Sequence, residues 1–124
     1  MPMQRALRVL VVFVILIAPL TAQAKIVSRY GVTIVSCVVN NNGSNVTNGI
    51  NVVYYNTHDS PATEVDFFVN YLGKHYLLID KGNFTRGSQI NHNLTNSLTG
   101  EAWNGDRPKL CRVERVYLAD GRTF

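Results

Sequence analysis

The sequence predicts an all-β fold: a single antiparallel β-sandwich of two sheets and about seven strands, with one disulfide linking the sheets. Three observations carry this reading. No apolar pattern with the helical period survives beyond residue 24. Short β-branched and aromatic runs instead alternate with clusters of Gly, Asn, Asp and Pro. The only two cysteines, Cys37 and Cys111, fall in an early and a late strand candidate.

The first 24 residues stand apart from that domain. Arg5 and Arg8 precede an uncharged apolar run over residues 9–20, which leads into Thr21-Ala-Gln-Ala24. A cationic end, an apolar middle and small residues at Ala22 and Ala24 are the three regions of a secretory signal peptide, with cleavage expected after Ala24. About twelve apolar residues fall short of the roughly twenty that span a bilayer, so no permanent anchor is expected. No Cys follows the cleavage site to carry a lipid. The mature domain then covers residues 25–124 and is expected to be secreted or periplasmic. A chain of that size has room for one core and a thin stability margin. Oxidising compartments favour pairing Cys37 with Cys111, and closing so long a loop contributes about 4.5 kcal/mol in the chain-entropy picture.

Within the domain, Val32–Val39 is the first strong strand, its period of two placing Val35, Cys37 and Val39 on one face. The Asn-rich residues 40–49 end it with two Asn-Gly pairs, which suit the positive φ of tight turns. Ile50–Asn56 is apolar on both faces, with Ile50, Val52 and Tyr54 on one and Val53 and Tyr55 on the other, predicting a central strand covered on two sides. In the next strand Val65, Phe67, Val69 and Tyr71 share one face and Glu64, Asp66 and Asn70 the other, and Phe68 alone breaks the alternation. The chain is expected to turn across Gly73-Lys74, return over residues 75–80 and turn again at Lys81-Gly82-Asn83. Residues 88–94 place Ile90, His92 and Leu94 on one face. A polar loop over residues 95–108 leads to Leu110–Leu118, which carries Cys111, and Asp120-Gly121 reads as the turn of a hairpin with a very short second arm.

Seven short strands with one cysteine early and one late resemble the immunoglobulin-like architecture. The resemblance stops there, because no Trp follows Cys37 at the usual core position and Lys109 stands where the corner Tyr would be. The stretch Pro61-Ala-Thr-Glu-Val-Asp-Phe67, the Asp80-x-Gly-x-Phe84 turn and the closing Ala119-Asp-Gly121 resemble a group of small secreted bacterial proteins of unknown function, over about 60 residues. That resemblance implies a sandwich and lends no activity.

Charge and motifs narrow the function by exclusion. Arg5 and Arg8 leave with the leader, so the twelve Lys and Arg become ten against eight Asp and Glu, a mature net charge of +2. Nucleic acid and anionic membrane are therefore not expected partners. Arg107, Lys109, Arg112 and Arg115 gather near the second cysteine, but Asp106 and Glu114 interrupt them, as on a solvated strand face. His58, His75 and His92 lie 17 positions apart each time, a spacing that builds no metal site on its own. No nucleophile elbow, phosphate loop or calcium loop occurs, so no cofactor is expected. Glu64 and Asp66 are the one carboxylate pair, about 6.6 Å apart by the strand rise, and are expected to lie solvated near a sheet edge. Four N-x-S/T sequons, at Asn42, Asn45, Asn83 and Asn93, follow from the Asn-rich composition.

The expected function is that of a non-catalytic exported module, without catalytic or metal-ligating residues. It would bind a protein or a glycan at the cell surface or take part in a surface assembly. A carbohydrate- or peptide-binding, adhesin-like module is the variant that uses loops, and a small secreted hydrolase is the remaining reading. Binding would use Trp103 and Tyr55, whose rings can stack and hydrogen-bond. Trp103 is expected to plug the gap between the sheets; if exposed, it becomes a ligand platform. Assembly would use an exposed edge beside the closing arm, residues 122–124.

Overall fold

Elements form where β-branched and aromatic residues concentrate, and the computed structural model describes residues 24–39, 49–95 and 107–124. These contain seven strands: β1 (Lys25–Val27), β2 (Val32–Val39), β3 (Ile50–Asn56), β4 (Ala62–Tyr71), β5 (Lys74–Phe84), β6 (Gln89–Leu94) and β7 (Leu110–Leu118). They divide into a four-stranded sheet ordered β1-β7-β4-β5 and a three-stranded sheet ordered β2-β3-β6. Residues 1–23 of the expected signal peptide and Trp103 lie outside the described residues.

The inner faces meet as a sandwich should. Ile50, Val52 and Tyr54 of β3 are buried, as are Val65, Phe67, Val69 and Tyr71 of β4, and Cys111, Val113, Val116 and Leu118 of β7. The Tyr54 ring meets Phe67 edge-on at 5.0 Å and Phe84 at 5.7 Å, joining the two sheets through aromatic contacts. The Cys37–Cys111 disulfide joins them again, from β2 to β7, with the Cα atoms 6.5 Å apart.

Several local expectations are corrected. Val35 is 50% exposed and does not share the inner face with Cys37. A β-bulge between Ile34 and Ser36 inserts one residue, so Ile34 and Cys37 both point inward and Val35 is pushed out. The same device in β4 lets Ala62 and Val65, also three apart, both be buried. Val53 and Tyr55 are only half-buried, because β3 is central by pairing while a two-layer fold leaves its outer face to solvent. β5 continues through Lys81-Gly82-Asn83 to Phe84, which pairs with Ala62. Gly82 is needed there because a Cβ would lie 2.7 Å from the Phe84 ring. The preceding turn sits at Leu72-Gly73, whose φ values of 50° and 76° are those of a type I′ hairpin turn.

The seventh strand is also not the one expected. The closing arm contributes only an isolated bridge, Tyr117 to Thr123. β1 takes its place, pairing parallel to β7 with Ile26 opposite Cys111, whereas the other strand pairs among the described residues are antiparallel.

Candidate functional site: an uncharged sheet face

The two sheets differ in charge. β2, β3 and β6 contain no Asp, Glu, Lys or Arg, whereas every strand of the other sheet carries at least one. The register places the outward residues of the three-stranded sheet in rows: Asn51 between Val38 and Asn93, Val53 between Ser36 and Asn91, and Tyr55 between Thr33 and Gln89. Asn51 donates from Nδ2 to Asn91 Oδ1 at 2.7 Å, a diagonal cross-strand bond that fixes both amides. The backbone groups of β3 pair on both sides, so side chains alone define the chemistry of this face. Tyr55, a residue expected to contact ligand, sits half-buried at one end of it. A signal for the face lay in the sequence, since residues 32–57 and 87–100 contain no charged residue apart from His92.

The outer face of the four-stranded sheet is built differently. Arg112 lies over the Phe68 ring at 4.5 Å, and His75 packs on that ring at 5.0 Å. Asp66 is only 4% exposed and not solvated as expected, because β7 and β5 flank it with Arg115 and Ile79. Burial, together with a hydrogen bond and repulsion from Glu64, pushes its carboxyl up to about 7. Its Oδ1 has no hydrogen-bond partner among the described residues. Glu64 also pairs with Lys81 at 3.7 Å.

The histidines are not brought together. His58 donates from Nε2 to the Tyr30 carbonyl at 2.6 Å and stacks on Phe124 at 4.8 Å. His92 shares the inward face of β6 with Ile90 and Leu94, as expected, but is half-exposed there, and its Nδ1 bonds Asp80 Oδ2 at 2.7 Å across the gap between the sheets. The same oxygen accepts from the Tyr54 hydroxyl at 2.7 Å, and burial plus this carboxylate holds the phenol well above its usual range. This cluster clasps β5 to β3 and β6. Among the described residues, no group of three or more His, Cys, Asp and Glu could hold a metal ion.

The closing arm does not leave an edge open. β1 pairs with Leu110, Cys111 and Arg112, the backbones of Phe124 and Val116 exchange two hydrogen bonds at 2.9 and 3.0 Å, and Leu118 donates to the Arg122 carbonyl at 2.9 Å. A cleft of about 170 Å³ lies beside Ile26, Val35, Val38 and Arg107. It is smaller than the roughly 300 Å³ at which small-molecule sites begin. Compared with known proteins, the chain matches no family model, no curated protein and no solved structure.

Proposed function

We propose that the chain is an exported, non-catalytic binding module whose ligand lies on the outer face of the three-stranded sheet, around Tyr55, Asn51 and Asn91. The observation that carries this reading is the charge segregation: one face is charged and internally paired, while the three strands of the other offer amides, hydroxyls, one aromatic ring and valines, with Arg107 lying only at the margin beside Ser36 and Val38. Export is supported by the disulfide and by the signal-like first 24 residues. No helix among the described residues is long and apolar enough to cross a membrane.

The test compares ligand retention by the wild type, Tyr55→Ala, Asn91→Ala and, as control on the other sheet, Leu77→Ser. Loss confined to Tyr55→Ala and Asn91→Ala supports the proposal. Equal loss in Leu77→Ser overturns it.

A second reading, assembly, has its own observation. Leu77 and Ile79 are each 48% exposed on β5, the end strand of the four-stranded sheet. Concentration-dependent association in sedimentation, abolished by Leu77→Ser, would favour it over ligand binding.

A further inference from the structure

Resting on the binding reading, we propose further that the ligand is a neutral glycan, lying extended across the uncharged face. A charged ligand would lose hydration here and meet no opposite charge on any of the three strands. The groups present are Asn51, Asn91, Asn93 and Gln89 amides with the hydroxyls of Ser36, Thr33 and Tyr55. Each both donates and accepts hydrogen bonds. So does every hydroxyl of a sugar, and a surface whose groups are all bidirectional suits a ligand of the same kind.

Geometry separates a glycan from a peptide. An extended peptide binds a sheet by adding to an edge, where backbone groups await partners. The centre of this face is β3, whose backbone is paired with β2 and β6. What it offers above the plane is side-chain amides held in place by the Asn51–Asn91 bond, which lowers the ordering cost of binding. Tyr55 adds an aromatic surface against which the C–H face of a sugar ring can lie. Strands about 4.8 Å apart and same-face residues about 6.6 Å apart make an open platform roughly 10 by 13 Å, the footprint of two or three sugar residues and not of one enclosed in a pocket.

The purified, disulfide-bonded protein is titrated by calorimetry with soluble β-glucan, mannan and galactan. The competitors are alginate and heparin as anionic glycans and a mixture of uncharged decapeptides. The expected result is binding to at least one neutral polysaccharide, changing less than twofold between 50 and 500 mM salt on the scale where ionic contacts would be screened. Tyr55→Ala should weaken it at least tenfold and Asn51→Ala about fivefold, while Leu77→Ser leaves it unchanged. Asn93→Glu, at an exposed position where folding is not at stake, should weaken it as well. Salt-sensitive binding of alginate or heparin alone overturns the neutral class. Decapeptide binding lost in Tyr55→Ala overturns the glycan and keeps the face as a binding site. No binding to any probe, with Tyr55→Ala dissolving a dimer, overturns the glycan and the binding reading together.

Discussion

Arg29 donates from Nε to the Val113 carbonyl at 2.6 Å, across 84 positions of chain. It fills the part of the β7 edge that neither β1 nor residues 122–124 pair, and its Nη2 bonds Glu114 at 3.2 Å. A side chain thus stands in for a missing strand and protects the edge.

Arg29→Ala should cost about 1–2 kcal/mol in urea unfolding, the value of a charge-assisted hydrogen bond. It should also raise concentration-dependent association by light scattering. Arg29→Lys should recover only part of the loss, since an ammonium cannot fork to both acceptors. Unchanged stability in Arg29→Ala would remove the guanidinium from this role.

Tyr54→Phe tests the clasp between the sheets. It leaves the ring contacts with Phe67 and Phe84 and removes the hydroxyl from Asp80, a carboxylate only 6% exposed. The expected loss is about 1–3 kcal/mol, the cost of an under-satisfied buried acceptor. In the Asp80→Asn background the same change should cost less, because the acceptor no longer carries charge; a double-mutant cycle measures the difference.

Asp66 gives the pH dependence. Its carboxyl is held up to about 7, above its ordinary 3.8, so the native state keeps a proton that the unfolded chain has already released. Its contribution is therefore favourable below about pH 4, is lost as pH rises towards 7, and stays lost above. Asp66→Asn, neutral throughout, should match the wild type at pH 4 and exceed it at pH 8 by on the order of 1–2 kcal/mol once solvent screening is allowed for. Parallel curves for the two proteins from pH 4 to 8 would refute the assignment.

Reduction of Cys37–Cys111 releases a loop closed over 74 positions and should lower stability by about 4 kcal/mol. Thermal melts with and without reductant measure this, and non-reducing peptide mapping should recover the two cysteine peptides joined.

What could be read from the sequence was what period two encodes. The inward sets Ile50, Val52, Tyr54 and Val65, Phe67, Val69, Tyr71 stand as expected, each alternating within one strand. Bulges break that rule without a mark in the sequence, and the one in β2 turns Val35 outward, away from the face of Cys37. β1 has three residues and finds its partner more than 80 positions away, too short and too distant for any local pattern. Asp66 looks solvated in an alternating strand, and only the β5 and β7 side chains flanking it decide otherwise. That Tyr55 lies on the face opposite Tyr54 follows from the alternation, but that this face is open to solvent depends on there being only two layers, and its neighbours Thr33 and Gln89 depend on a register set by three strands together.

The placing of β7 also orders the events of synthesis. Both β1 and β4 border this strand, and Cys37 waits for the thiol it carries. A nascent chain emerging from the ribosome can zip β2 to β3 early, but until Leu110 and the residues after it appear, β1 has no partner and Cys37 remains a bare thiol. The larger sheet is completed last, by the final fifteen residues, Leu110 to Phe124. A chain cut short before them carries an unfinished sheet and an unpaired Cys37 thiol, which an oxidising compartment can cross-link to a neighbour.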